Sequence, residues 1–287
     1  MLLFSEWKHW IVENVGRGCS AVSMVDAMVN AGVDPVTARL WANAAQTGSI
    51  DSADMSPSLD VGHASGNYIY GTARLPQSGN LLQAGDRDVR VAMRIAQPVV
   101  AVFDGLLSEQ ECDELIRLSR VKLQRSTIVD PQSGHERFID ARSSHGTFFA
   151  INETAFIAGI DGRISELLRW PVENGEGLQI LNYRVGGEYK THFDFFPPGD
   201  PGSSAHLAKG GQRVSSLVIY LNDVQQGGET IFPEIHLSVV PRKGSAVYFE
   251  YCNERGQVDA RTLHGGKPVL AGEKWIATKW MRQQPYR

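Results

Sequence analysis

The sequence contains little cysteine, no long apolar run and no cluster of positive charge. Its three cysteines, Cys19, Cys112 and Cys252, are scattered along the chain and form no CxxC pair. This pattern predicts a reducing compartment and no disulfide framework. Because no stretch of about 18 apolar residues exists, no membrane span is expected. The apolar residues 1–4 are too few for the hydrophobic region of a signal peptide, so we expect a cytoplasmic protein.

Charge of the two signs is nearly balanced. The chain has 28 Lys and Arg against 32 Asp and Glu, which gives a formal net charge of −4. No block of basic residues builds a field for phosphates, so nucleic acid is not expected as the main partner. With 42% hydrophobic and 21% charged residues, the composition is typical of a globular protein. The length fits one large domain or one domain with an appendage.

Residues 1–45 predict a small unit of three helices. Ser20 precedes the second helix, Gly32 can end it, and Pro35 suits the first turn of a third helix that runs through Trp41. The apolar face predicted for the second helix comprises Val22, Val25, Met28 and Val29. This unit is either a packing appendage or a module that binds a partner or a substrate.

Residues 46–88 are rich in Gly, Ser, Asp and Asn and predict a linker, part of which can lie over the next domain. From residue 89 to residue 287 the pattern changes to that of a mixed domain. Two strands are predicted at 89–95 and 99–103, and Ser108 with Glu111 forms a capping box that opens a helix. The apolar faces of this helix and the next comprise Cys112, Leu115 and Ile116, then Phe156, Ile160, Ile164 and Leu167 or Leu168.

After Trp170 the chain consists of predicted strands separated by Gly and Pro turns. The clearest strands are residues 178–184, 214–222, 245–251 and 274–281. Two helices followed by many short strands predict an α+β fold with a closed or double-sheet barrel.

A candidate metal site begins with His192 and Asp194, which follow a predicted strand. Residues two apart on a strand point to the same face, so both side chains can bind one ion. His264, which precedes a Gly-Gly turn, is the best candidate for a third ligand. Two His and one carboxylate leave three positions open and suit iron(II) that activates oxygen, whereas a closed zinc site would use Cys or a fourth His. A His-x-Asp pair alone is weak evidence, because most such histidines are structural.

The last predicted strand begins with a lysine that supports this hypothesis. Period-2 alternation places Lys274, Ile276, Thr278 and Trp280 on one face. If that face points inward, Lys274 carries a charge inside the barrel, and a buried charge needs a counter-ion. The distal carboxylate of 2-oxoglutarate is the natural one. The alternative is a lysine that extends to solvent from the barrel rim.

These residues lie in ordered motifs that resemble the prolyl 4-hydroxylases of the collagen and plant cell-wall type and their bacterial relatives. The resemblance runs from about residue 99 to 282 and is densest over 178–282. Its motifs are LQILNYRVGGEYKTHFD at 178–194, YLNDV at 220–224, GGETIFP at 227–233, PRKGSAV at 241–247 and LHGGKPVLAGEKW at 263–275. The resemblance implies a double-stranded β-helix (jelly-roll) core with flanking helices.

The resemblance also implies roles for single residues. His192, Asp194 and His264 would hold Fe(II), and Lys274 would bind the distal carboxylate of 2-oxoglutarate. Tyr183 looks like the family tyrosine whose hydroxyl reaches the same carboxylate. The remaining assignments are Ser216, which stands where many members have Thr beside the co-substrate, and the substrate-binding candidates Tyr189, Arg142 and Trp280.

The implied reaction is hydroxylation of a prolyl residue in a peptide or protein. It would consume O2 and 2-oxoglutarate, release succinate and CO2, and use L-ascorbate as reductant. The long loop 195–213 is expected to cover the substrate. The peptide-binding repeat domain and disulfides of the animal enzymes are not visible, so collagen as substrate does not transfer.

Several alternatives stay open on the sequence. A free amino acid or a lysyl or aspartyl side chain could be hydroxylated by the same chemistry. A halogenase is disfavoured because Asp194 fills the position that halide needs, and a nucleic-acid demethylase is disfavoured by the acidic balance. A non-catalytic metal-binding β-barrel that recognises a partner would not need an internal lysine. The oligomeric state is not predicted.

Overall fold

The computed structural model describes residues 4–31, 33, 35–46, 68–126, 128–129, 136–137, 143–197, 200 and 202–286. The chain divides into two compact units, Met1–His63 and Ala64–Arg287. The three cysteines form no disulfide. None of the described helices has the length and apolar character that crossing a membrane requires.

The first unit consists of three helices around a small apolar core. They are α1 (Phe4–Gly16), α2 (Ala21–Asn30) and α3 (Pro35–Gln46). Ser20 caps α2, because its hydroxyl accepts the backbone N–H of Ser23 at 3.2 Å. The buried core comprises Trp7, Ile11, Met24, Met28, Val33, Ala38, Trp41, Ala42 and Ala45.

The residues that α2 buries differ from the apolar face that the sequence predicts. Met24 and Met28 are its buried residues, whereas Val22 is 70% exposed. Long, flexible methionine side chains fill irregular space between helices, so the buried stripe is centred on them and not on Val22. The third helix also continues past Trp41 to Gln46.

The segment before residue 89 belongs in part to the second unit. Leu75 is buried, and the backbone N–H groups of Arg74 and Leu75 both donate to the Glu250 carboxylate. The Tyr70 hydroxyl donates to Asp259 at 2.5 Å. Residues 68–88 thus belong to the second unit, as the prediction that part of the 46–88 linker can lie over the next domain allows, and residues 47–67 lie outside the described part of the chain.

The second unit combines many short strands with three further helices. The helices are α4 (Glu109–Arg120), α5 (Ala155–Leu168) and the short α6 (Ser203–Leu207). The strands are β1 (Leu81–Ala84), β2 (Arg87–Ile95), β3 (Val100–Asp104), β4 (Gln124–Arg125), β5 (Ile128–Val129), β6 (Glu136–Arg137), β7 (His145–Phe149), β8 (Leu178–Tyr183), β9 (Tyr189–His192), β10 (Arg213–Tyr220), β11 (Gln226–Gly227), β12 (Thr230–Phe232), β13 (Leu237–Val239), β14 (Ala246–Glu250), β15 (His264–Gly266), β16 (Val269–Ala271) and β17 (Lys274–Arg282).

Two antiparallel sheets provide the framework for the site. The larger has nine strands in the order β1-β2-β3-β14-β10-β17-β8-β7-β4, and the smaller has four in the order β13-β12-β15-β9. Two-stranded pairs β11–β16 and β5–β6 complete the described strands. Helices and antiparallel sheets together confirm the predicted α+β, jelly-roll type of fold. All four of the strands predicted most clearly are present, with ends shifted by at most two residues.

The helices of this unit follow their sequence signals closely. The Ser108 hydroxyl accepts the Glu111 backbone N–H at 3.1 Å, and the Glu111 carboxylate accepts the Ser108 N–H at 2.7 Å. This reciprocal capping box begins α4 as predicted. Apolar residues of α4 and α5 join the core of the large sheet, among them Cys112, Leu115, Ile157, Ile160, Ile164, Leu167 and Leu168.

The strand β17 lies inside the large sheet and is buried along its whole length because both of its faces are covered. Lys274, Ile276, Thr278 and Trp280 line a cavity, as the alternation predicts. On the other face, Lys279 Nζ donates to Asp161 Oδ1 of α5 at 2.7 Å. Both side chains of this ion pair are at most 3% exposed. The ion pair therefore fixes α5 to the outer face of the sheet.

Removing Asp161 should destabilise the second unit strongly. Asp161→Ala leaves the Lys279 ammonium buried without its partner, which costs on the order of 3–5 kcal/mol of the free energy of unfolding. The matched control is Asp113→Ala, whose pairing with Lys243 has the same 2.7 Å distance but leaves Asp113 66% exposed. There we expect about 0–1 kcal/mol. Urea denaturation of both variants provides the comparison, and equal losses would contradict it.

Candidate active site

A single cavity of about 510 Å³ brings the predicted site residues together. Most of its lining comes from β8, β10 and β17 of the large sheet, from β9, β12 and β15 of the small sheet, and from the loop after β9. Rigid strands thus carry most of the lining side chains. Among the residues predicted for the site, the cavity is lined by Tyr183, Tyr189, His192, Asp194, His264, Lys274 and Trp280.

The pairing of β9 with β15 positions the three candidate ligands. These strands are antiparallel, and their register places His192 directly opposite His264. Asp194 follows two residues after His192, and its two carboxylate oxygens lie 3.6 Å from His192 Nε2 and 3.5 Å from His264 Nε2. One atom from each residue lies within 4.8 Å of the others. The structure therefore brings the predicted triad to one point.

Hydrogen bonds and charges set the protonation states that a metal site needs. The Nδ1 atoms of His192 and His264 lie 2.9 and 3.0 Å from the carbonyl oxygens of Lys190 and Thr262. Donation from Nδ1–H to these oxygens leaves each Nε2 as the free electron-pair donor. Burial lowers the pKa of His264 to about 4, against the attraction of Asp194, so its ring is neutral at neutral pH.

The Asp194 carboxylate is anionic. Burial by itself would raise its pKa, but the electrostatic effects of His264, His192 and Arg213 outweigh burial and hold the pKa well below its usual range. Two imidazole nitrogens and one carboxylate form a donor set without thiolate, and within the described residues no fourth ligand joins it. This set fits iron(II) with open positions facing the cavity.

A second charged group lies in the same cavity. Lys274 is only 4% exposed, and no ion pair links it to any carboxylate of the described chain. Its Nζ lies over the rings of Tyr183 and Tyr220, 5.7 and 5.8 Å from their centroids. Burial lowers the pKa of this ammonium to about 8, while Glu229 opposes the shift. A buried cation whose charge is so poorly compensated fits an anionic ligand.

Two hydroxyl groups near Lys274 bear on the predicted co-substrate site. Tyr183 is the cross-strand partner of Lys274 and lines the cavity. Thr230 also lines it, and its hydroxyl accepts a hydrogen bond from Tyr220 at 2.8 Å. Thr230 was not predicted as a site residue, although its position in the GGETIFP motif was a usable signal.

Ser216 lies elsewhere than its predicted role requires. It is fully buried and is not part of the cavity lining. Its hydroxyl donates to Asp194 Oδ2 at 2.5 Å, so it contacts a candidate metal ligand. The predicted placement beside the co-substrate rested on the family resemblance, in which many members have Thr at this position, whereas the Ser216 hydroxyl contacts the Asp194 carboxylate. Thr230 provides the hydroxyl on the cavity wall instead.

The structure places two of the three candidates for substrate binding at the cavity and does not describe the third. Tyr189 stacks on His192 with ring centroids 3.6 Å apart and an interplanar angle of 22°. Trp280 lines the cavity under the guanidinium of Arg213, 4.0 Å from its ring centroid. Arg142 lies outside the described residues.

An ion-pair network beside Trp280 was not predicted. Arg213 donates to both carboxylate oxygens of Glu176 at 2.6 and 2.9 Å and to the backbone oxygen of Asp194 at 3.3 Å. Arg282 Nε also lies 2.7 Å from Glu176, as an ion pair that is not an aligned hydrogen bond. All three side chains line the cavity. They belong to no short motif, so only the three-dimensional structure brings them together.

The loop 195–213 contributes to the cavity wall. It contains the short helix α6, where the sequence predicts no regular structure. Gln212 ties the start of the loop to its end, because its side-chain amide accepts from the Phe196 N–H at 2.8 Å and donates to the Phe196 oxygen at 2.7 Å. Phe196, Ser203 and His206 line the cavity.

Comparison with known proteins agrees with this geometry. The family model of the 2OG-Fe(II) oxygenase superfamily matches residues 178–282, the span that carries the triad and Lys274. Prolyl 4-hydroxylase 2 of Arabidopsis thaliana is 36% identical over 207 residues, covering 65% of this chain and 68% of that protein. Prolyl 4-hydroxylase 5 of the same plant is 31% identical over 250 residues, covering 80% and 84%.

Comparison of the fold with solved structures points to the same family. The crystal structure of the viral collagen prolyl hydroxylase from Paramecium bursaria Chlorella virus-1, in its 2OG complex, matches with a TM-score of 0.52 and 30% identity. The match covers 64% of this chain and 95% of that one. The chain therefore belongs to the 2OG-Fe(II) oxygenase superfamily. Within that superfamily it is a relative of the prolyl 4-hydroxylases, and it is a dioxygenase that uses Fe(II), 2-oxoglutarate and O2.

The affinity for 2-oxoglutarate should depend on pH through Lys274. Only the protonated ammonium attracts a carboxylate, so binding is strongest below the pKa of about 8. Above it, each pH unit should weaken binding by up to about tenfold. Titration of the Mn(II)-loaded protein with 2-oxoglutarate between about pH 7 and 9.5 measures the slope. Lys274→Arg is the matched control, because a guanidinium does not titrate there. The same slope in both proteins would mean that another group is responsible.

Proposed function

We propose that this dioxygenase hydroxylates prolyl residues of a peptide or protein, with release of succinate and CO2. The observation that carries the proposal is the joint presence, in one cavity, of the His192–Asp194–His264 triad and of the buried Lys274. The prolyl substrate is supported by the relatives, whose names are those of prolyl 4-hydroxylases.

Each group has a role that follows from its position. His192, Asp194 and His264 would hold the iron, which when bound supplies the activation of oxygen. Lys274 would bind the distal carboxylate of 2-oxoglutarate by a charge-assisted hydrogen bond in a site shielded from water. Tyr183 and Thr230 stand on the cavity wall where their hydroxyls could share that carboxylate. We propose L-ascorbate as reductant on the family resemblance alone.

The other side of the cavity is suited to a substrate that arrives from solvent. Tyr189 and Trp280 offer aromatic surfaces against which a pyrrolidine ring could pack. The lining continues to Phe148, which is 55% exposed, so the cavity opens toward the protein surface. An exposed aromatic rim supports a peptide chain more than a free amino acid, which would need only an enclosed pocket.

Mass spectrometry of a proline-containing peptide tests the proposal. After incubation with iron(II), 2-oxoglutarate and ascorbate, we expect a gain of one oxygen on proline and one succinate per hydroxylation. The control peptide carries Ala in place of that proline, and Asp194→Ala is the control enzyme because two ligands cannot fix the site. Succinate release with every peptide unmodified, and with free proline modified, would favour the free amino acid. No succinate under any condition would favour a non-catalytic binder.

A further inference from the structure

A chain of buried hydroxyl groups ends on the Asp194 carboxylate. Ser216 Oγ donates to Asp194 Oδ2 at 2.5 Å, and the Tyr251 hydroxyl lies 3.0 Å from the same Ser216 oxygen. Ser216 and Tyr251 are both fully buried, and Asp194 is 8% exposed. Neither hydroxyl lines the cavity, so neither touches a bound co-substrate or substrate. Their contact with the reaction is through Asp194 alone.

Counting protons fixes the direction of the hydrogen bonds. A carboxylate only accepts hydrogen bonds, and a serine hydroxyl has a single proton. Because that proton is donated to Asp194, the bond between Tyr251 and Ser216 must be donated by Tyr251. Burial raises the pKa of the Tyr251 phenol well above its usual range, with Asp194 adding to the effect, so the phenol remains a donor. The chain therefore runs from Tyr251 through Ser216 to Asp194.

This chain of hydroxyl groups donates a hydrogen bond to one of the two Asp194 carboxylate oxygens. Oδ2 accepts the hydrogen bond from Ser216 and lies 3.5 Å from Nε2 of His264, whereas Oδ1 lies 3.6 Å from Nε2 of His192 and accepts no hydrogen bond from the hydroxyl chain. Iron held by two His and one carboxylate oxygen keeps three positions open, which 2-oxoglutarate and oxygen need. A carboxylate that bound through both oxygens would occupy one of these positions. A hydrogen bond on Oδ2 disfavours that mode and restricts rotation of the side chain.

We propose that Ser216 and Tyr251 are positioning residues that hold Asp194 as an iron ligand through one oxygen. The proposal rests on the proposed role of Asp194 as an iron ligand. In chains of hydrogen bonds each donor polarises the next, so Tyr251 strengthens the bond that Ser216 makes. Partners of this kind orient metal ligands, and their loss typically lowers metal affinity about 10- to 100-fold.

A second serine of β10, Ser215, and a tyrosine of β14, Tyr248, serve as matched controls. Ser215 and Tyr248 are as deeply buried as Ser216 and Tyr251. The Tyr248 hydroxyl donates to Glu250 at 3.1 Å, and Ser215 hydrogen-bonds to Tyr248. Neither residue lines the cavity. Removing their hydroxyls therefore reproduces the loss of core packing and buried hydrogen bonds without touching Asp194.

Anaerobic titration of the metal-free protein with Fe(II) measures the effect directly. Ser216→Ala should raise the Kd for Fe(II) by about 10- to 100-fold. Tyr251→Phe should raise it less, because the Ser216 bond remains. Ser215→Ala and Tyr248→Phe should leave the Kd within about twofold of wild type, although their metal-free melting temperatures fall as well. The Ser216→Ala/Tyr251→Phe double variant should match Ser216→Ala, because Tyr251 acts only through Ser216.

The outcomes separate this proposal from the one on which it rests. A wild-type protein that does not bind Fe(II) overturns the iron assignment itself. Wild-type binding with an unchanged Kd in Ser216→Ala, or an equal loss in the control pair, overturns the positioning role. Additive losses of Fe(II) affinity in the double variant would contradict the proposed order of hydrogen bonds, in which Tyr251 acts through Ser216. If Ser216→Ala does not fold, Tyr251→Phe decides, because it removes one oxygen at constant side-chain volume.

Discussion

The buried charge of Lys274 is the constraint on which the site depends. Lys274 begins β17, which lies between β10 and β8 inside the nine-stranded sheet, and its side chain is only 4% exposed. The protein surrounds the ammonium with aromatic rings and leaves it without an ion pair within the described chain. A cation kept in this state costs stability unless an anion accompanies it. The cavity therefore suits a ligand that has a negatively charged group beside Lys274 at one end and reaches the His192–Asp194–His264 triad with its other end.

Much of this arrangement could be predicted from local sequence signals. The two-residue period of a strand was sufficient to place His192 beside Asp194 and to put Lys274 on the inner face of β17. The capping box at Ser108 is equally local, because both of its hydrogen bonds join residues three apart. Such signals depend on backbone geometry within one element. His264 required the ordered motifs in addition, because its pairing with His192 joins distant strands.

The features that escaped prediction depend on contacts between elements. Glu176 and Arg213 form an ion pair on the cavity wall, and because they come from different parts of the chain, no residue spacing within one strand predicts the pair. Ser216 and Thr230 lie on different strands, and only the folded sheets reveal which hydroxyl faces the cavity and which faces Asp194. The Gly and Ser content of residues 68–88 allowed them to lie over the second domain but did not say where, and their few apolar side chains and backbone hydrogen bonds to Glu250 determine their place. The composition of a segment indicates only its average tendency to form a loop, whereas its packing depends on the contacts of individual residues.

The positions of the triad and of Lys274 imply that one cavity holds both iron and 2-oxoglutarate, with the co-substrate between the iron and Lys274. Crystals grown anaerobically with iron(II) and 2-oxoglutarate, with diffraction recorded at the iron absorption edge, would show both ligands. We predict an anomalous peak at coordination distance from both Nε2 atoms and one Asp194 oxygen, and a distal carboxylate hydrogen-bonded to Lys274 Nζ. An iron peak away from His192, Asp194 and His264, or a distal carboxylate on Arg213 with Lys274 still unpaired, would contradict it.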